Sequence, residues 1–114
     1  MSDLCVLGPL ELTFGDQEVL FRFADPGAMM LEIPGRLETS LRTLTAERAA
    51  SFAGRKMVVD LENLRTLTSR QLGILLMLRA VCEPIGGIVL RNLAEPVQGL
   101  MHLTKVAKLF ETEE

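Results

Sequence analysis

Few side chains in this sequence are of a kind that does chemistry, and Ser69 is the best placed of them. It stands in Thr68-Ser69-Arg70-Gln71, where a hydroxyl residue is followed three positions later by glutamine. That is the capping-box pattern of a helix start. With Thr68 as the N-cap, Ser69 is the first helical residue. Its hydroxyl then lies among backbone N–H groups without intrahelical partners, at the positive end of the helix dipole. A phosphate is stabilised in such a place, so Ser69 reads as a candidate phosphoacceptor. The plain alternative is a polar first-turn residue that only helps to cap the helix.

The other reactive groups are scattered. Asp60 and Glu62 could form a carboxylate pair for acid–base work, and the same spacing suits a solvated loop edge. No histidine or cysteine stands close to them in sequence, and there is no glycine-rich phosphate loop of the Walker type. Cys5 and Cys82 lie far apart, with no further cysteine or histidine at metal-ligand spacing, and read as two reduced thiols. His102, the only histidine, falls on the surface of a candidate helix. No catalytic residue, metal ligand or cofactor is therefore assigned, and an enzyme ranks below a binding protein.

Composition narrows the class. The chain has 114 residues, enough for one domain and too few for two of ordinary size. Nearly half are apolar (48%), so a core is feasible without disulfides or metal. Twelve basic and fifteen acidic residues leave a net charge of −3, which argues against a nucleic-acid binder with a clustered basic face. The longest apolar run, residues 72–78, falls far short of the ~20 needed to cross a membrane. The first residues lack the basic region of a signal peptide, so a cytoplasmic location is the expectation.

The elements that must position Ser69 follow from hydropathy and turn residues. Leu10, Leu12 and Phe14 alternate with polar residues, as do Val19, Phe21 and Phe23, and both runs predict half-buried strands. Asp25-Pro26-Gly27 is a turn, and Met29, Leu31 and Ile33 predict a third strand ended by Pro34-Gly35. The first half thus reads as an antiparallel meander. Residues 41–53 predict a helix capped at Ser40 or Thr43, with Leu41, Leu44 and Phe52 inward and Gly54 as its stop. Residues 57–61 form a continuous β-favouring run, as in a covered central strand. Residues 69–82 make the strongest helix, 88–90 the next strand, and 95–103 a helix with Pro96 in its first turn. An amphipathic tail through Val106, Leu109 and Phe110 leads to an acidic end.

The fold class expected is a single α/β domain over residues 1–114. It has a mixed four- to five-stranded sheet, helices mainly on one face, and residues 1–16 as an extension or extra edge strand. Strand–helix–strand crossovers put functional loops beyond the carboxyl ends of the strands, which is where the loop before Ser69 lies. At 3.6 residues per turn the central helix divides unevenly. Ile74, Leu75, Met77, Leu78, Val81 and Cys82 face the sheet. Ser69, Leu72, Gly73, Leu76, Arg79, Ala80 and Glu83 share the other side, and Leu72, Gly73, Leu76, Arg79 and Ala80 make a candidate partner-binding patch beside the serine.

With these residues in place, the chain resembles the STAS domain of the anti-sigma factor antagonist family over residues 19–110. Ile33-Pro34-Gly35-Arg36-Leu37-Glu38 is similar to the family's Gly-Arg-Leu-Asp segment, and Val58-Val59-Asp60-Leu61 to its central strand. Leu67-Thr68-Ser69-Arg70-Gln71-Leu72-Gly73 stands where the family has Asp-Ser-Ser-Gly-Leu-Gly. Gly86-Gly87-Ile88-Val89-Leu90, with Leu103-Thr104 and Leu109-Phe110 after it, resembles the closing strand and final helix. The resemblance implies a partner switch. An anti-sigma factor that is also a serine kinase would phosphorylate the position of Ser69 and bind only the unphosphorylated domain. Thr68 replaces the motif aspartate, and Arg70 and Gln71 replace Ser-Gly. Some members of the family lack phosphorylation, which keeps a fixed scaffold as the alternative. The expected partner is thus a kinase-like anti-sigma protein, with no nucleic acid or membrane, and self-association remains open to the chain.

Overall fold

The computed structural model describes residues 3–23 and 34–113. Six strands form one sheet: β1 (Asp3–Leu7), β2 (Leu10–Phe14), β3 (Glu18–Phe23), β4 (Lys56–Asp60), β5 (Ile88–Arg91) and β6 (Glu111–Glu113). Their spatial order is their chain order. The first three pair antiparallel through tight turns, and β3, β4, β5 and β6 run parallel. Each parallel step needs a crossover. These are supplied by α1 (Pro34–Glu47) with α2 (Ala49–Phe52), by α3 (Ser69–Cys82), and by α4 (Glu95–Leu103) with a 3₁₀ turn at Ala107–Leu109. Crossovers of one hand between successively placed strands put their helices on one side of the sheet.

Burial follows that topology. Leu10, Leu12, Phe14, Val19, Phe21, Phe23, Met57, Val59, Ile88 and Leu90 point into one core. Leu37, Leu41 and Leu44 meet them from α1, and Ile74, Leu75, Leu78 and Val81 from α3. Phe52 of α2 packs edge-to-face on Phe14, with ring centroids 5.3 Å apart. The Arg48 guanidinium lies 4.3 Å from the centroid of the Phe14 ring, a cation–π contact that closes this end of the core.

Three expectations need correction. Among the described residues the sheet has six strands, not four or five, because residues 3–14 form two strands and the acidic end forms β6. The first long helix begins at Pro34 rather than near residue 41, and Ser40 and Thr43 lie inside it instead of capping it. Pro34 opens a helix here because its fixed φ and missing N–H suit a first turn. The helix also breaks at Arg48 before the short α2. The strand expected on Met29, Leu31 and Ile33 lies outside the described residues.

The other face of the sheet has a different character. Val58 is fully buried there, in register with the half-buried Leu20 and Val89. Long charged side chains reach across that face. Arg91 donates from both terminal nitrogens to Glu18, at 3.1 Å each, and from Nε to Glu113 at 2.9 Å. Lys56 also donates to Glu113. This cluster explains why a strand as polar as Glu111-Thr112-Glu113 closes the sheet.

The hydrogen bonds from Lys56 and then from Arg91 hold the Glu113 carboxyl below its ordinary value of 4.5. A lowered carboxyl pKa contributes stability above the unfolded value and loses it as pH falls through the folded one. Arg91→Ala is therefore expected to lower the urea midpoint modestly at pH 7. The gap to the parent protein should close as pH falls below about 4.5. A gap that persists unchanged at pH 3 would contradict this account of β6.

Candidate functional site

The loop between β4 and α3 is short of regular structure but well anchored. Leu61 and Leu64 are buried and Leu67 packs on the core's border. Asn63 Nδ2 donates to the carbonyl of Phe23 at the end of β3, at 3.1 Å. Leu61 N–H extends the parallel ladder by donating to Arg91 O at 2.9 Å. The Asp60 carboxylate accepts from Glu62 N–H at 2.9 Å and from Asn92 Nδ2 at 3.3 Å. Asp60 thus holds the loop's first turn to the loop after β5. Glu62 meets Asp60 through its backbone, so the two carboxylates are not brought together as an acid–base pair by these bonds.

This loop delivers the chain to Thr68, the N-cap of α3, in extended conformation. Thr68 Oγ1 accepts from Gln71 N–H at 3.1 Å, and Gln71 Oε1 accepts from Thr68 N–H at 2.9 Å. Both halves of the capping box are present. Gln71 is 4% exposed, the only buried polar residue among those described. The sequence pattern predicted its capping role but not its burial. Its amide is tolerated in the core because no buried side-chain N or O among the described residues lacks a partner.

Ser69 follows as the first residue of α3, and its side chain is exposed. Arg70 is also exposed. Leu72 and Gly73 are half-buried one turn on, and a Cβ at Gly73 would meet no atom within 4 Å. Ala80 is exposed further along. The face expected to be outward is therefore continuous from Ser69 through Leu72 and Gly73. Two of its members behave differently. Leu76 packs against the border of the core. Arg79 donates from Nε to Leu109 O at 2.7 Å, tying α3 to the chain before β6. The sheet-facing side holds Ile74, Leu75, Met77, Leu78, Val81 and Cys82, all buried, as the helical period predicts.

Asn92 was not anticipated. It has a φ of 60°, a left-handed conformation that asparagine tolerates better than most residues, and it turns its amide toward Asp60. Only an isolated asparagine after a short strand signals it in the sequence. A cleft of about 480 Å³ lies elsewhere, between α4 and β6, lined by Met101, His102, Phe110 and Thr112 among others. Among the described residues no group of His, Cys, Asp or Glu could hold a metal, and no helix is long and apolar enough to cross a membrane. Neither a protein-family profile nor any curated protein matches this chain.

The cap yields a stability prediction. Thr68→Ala removes the acceptor of Gln71 N–H and should cost ~1 kcal/mol in urea denaturation, while Thr68→Ser keeps most of it. Equal midpoints for all three proteins would mean that the helix start is held by other contacts.

Proposed function

We propose that this domain is a regulatory protein-binding module of the anti-sigma factor antagonist type, switched by phosphorylation of Ser69. One observation carries the reading. An exposed serine is the first residue of a capped fourteen-residue helix, and an accessible apolar strip, Leu72 and Gly73, lies directly beside it. A helix start accepts a doubly negative group without losing its cap, because the dipole and first-turn N–H groups favour negative charge there. Phosphate on Ser69 would bring about −1.5 to −2 charges to the edge of an apolar contact surface. A partner seated over Leu72 and Gly73 is then repelled while the fold persists. The absence of a side chain at Gly73 lets a partner approach the helix backbone, and Arg70 lies next to the added charge.

The order of elements supports the same reading. The loop and helix start stand beyond the carboxyl end of β4, the usual position of functional loops in an α/β sheet. The second reading is a constitutive scaffold with the same contact face and no phosphate. The replacement of the motif aspartate by Thr68 favours it, since a kinase tuned to an acidic residue before the serine loses that contact.

The two readings separate in one experiment. The protein is incubated with ATP and an anti-sigma serine kinase from the same genome, then examined by mass spectrometry and by binding to that kinase. Phosphate on Ser69, loss of binding in ATP, and retained binding by Ser69→Ala are expected. Leu72→Glu should leave the melting temperature nearly unchanged and weaken binding at least tenfold, because it buries an unpaired charge at the contact. Binding unaffected by ATP, with Ser69 unmodified, would favour the scaffold.

A further inference from the structure

The end of α4 gathers most of a scarce set of side chains. The chain has three lysines and one histidine. Two of those lysines, Lys105 and Lys108, line a cleft of about 200 Å³ together with His102 and Ala107. Both lysines and the histidine are exposed. The cleft adjoins the one of about 480 Å³ between α4 and β6, the two sharing His102 and Ala107. The larger cleft has an apolar floor, with Met101 and Phe110 nearly buried and Leu93 beside them. Thr112 stands at its rim. Glu113 is the only carboxylate lining either cleft among the described residues, and it is held by Lys56 and Arg91.

A basic residue at a helix end can simply offset the dipole, and that explains part of the cluster. A helix C-terminus carries roughly half a negative charge, which a single lysine cancels. The second lysine is in excess. Lys105 also stands against the local backbone preference. It follows the C-cap Thr104 with a φ of 61°, the left-handed position that glycine commonly fills after a helix. The result is a positive pocket at one end of an apolar one.

We infer that the joined clefts bind a small aromatic carboxylate, its charged end between Lys105, Lys108 and His102 and its ring on Met101 and Phe110. A lysine ammonium meets a compact anion as a point charge. A histidine ring donates at least one N–H whatever its protonation state. No arginine lines either cleft among the described residues, so the bidentate device that favours phosphate is missing. The Met101 thioether and the Phe110 ring both suit an aromatic face. The larger cleft falls within the roughly 300–1,000 Å³ of small-molecule sites. A lipid surface would instead meet Leu103, which is 79% exposed and lines neither cleft.

Titration with cinnamate and with its uncharged analogue cinnamamide, followed by methyl NMR of the whole chain, tests this. Cinnamate should bind saturably with a Kd of about 1 mM or tighter. It should shift the Met101 and Ala107 methyls and leave those of Leu103 unmoved. The amide should bind about tenfold more weakly or worse. Lys105→Gly combined with Lys108→Ala should weaken cinnamate about tenfold or more. Glycine suits the left-handed position, so the melting temperature should not fall and lost binding is not lost folding. No saturable shift by about 10 mM cinnamate would overturn the proposal. So would equal affinity for acid and amide, undiminished binding by the double variant, or shifts at Leu103 in place of Met101.

Discussion

Gln71 accepts a hydrogen bond from the backbone of Thr68 while its own N–H donates to the Thr68 hydroxyl, and it does so as a buried residue. An amide buried without partners would cost several kcal/mol. Here its carbonyl oxygen takes the backbone N–H of the N-cap residue, Thr68. Burial of the Gln71 side chain sharpens the constraint, because an unmet amide there would have no ready replacement for these partly buried bonds. The direction in which α3 leaves the loop is thereby tied to the side of α3 that meets the sheet. Rotating the helix would expose Ile74 and Leu78 and break the cap together. Ser69 is exposed because it follows Thr68 and precedes Gln71 in this arrangement.

The rest of the sheet is organised around the same one-sidedness. Strands laid down in chain order, with helical crossovers between the parallel ones, place the apolar core on one face. The other face carries the charged cluster of Glu18, Lys56, Arg91 and Glu113. Arg91 serves both Glu18 and Glu113, so a single guanidinium links β3, β5 and β6. The fold thus separates its tasks: the helix face carries the core and the serine, and the opposite face carries the ion pairs.

Much of this is legible in the residues. Thr68 and Gln71 announce the helix start, the 3.6 period assigns the buried side of α3, and alternation at Leu10, Leu12, Phe14, Val19, Phe21 and Phe23 marks two strands with their inward faces. What escaped the sequence depended on distant partners. Glu111-Thr112-Glu113 has no strand signature, and it becomes β6 because Lys56 and Arg91 lie across from it. Pro34-Gly35 reads as a stop, yet proline also suits a first helical turn, and local chemistry does not choose between the two. Leu76 belongs to the core's border although the helical period assigns it outward, and α3 packs against α1 as well as against the sheet.

The central claim is that the start of α3 accepts a phosphate on Ser69 without disturbing the helix beneath it. The most direct measurement is a ³¹P NMR titration of the domain carrying phosphoserine at position 69, with amide spectra recorded alongside. The account predicts a second phosphate pKa below the ordinary value of about 6, because the helix dipole and first-turn N–H groups favour the doubly charged form. It also predicts amide shifts confined to the first turn. A pKa at or above that value, with shifts spreading to Ile74 and Leu78, would contradict it.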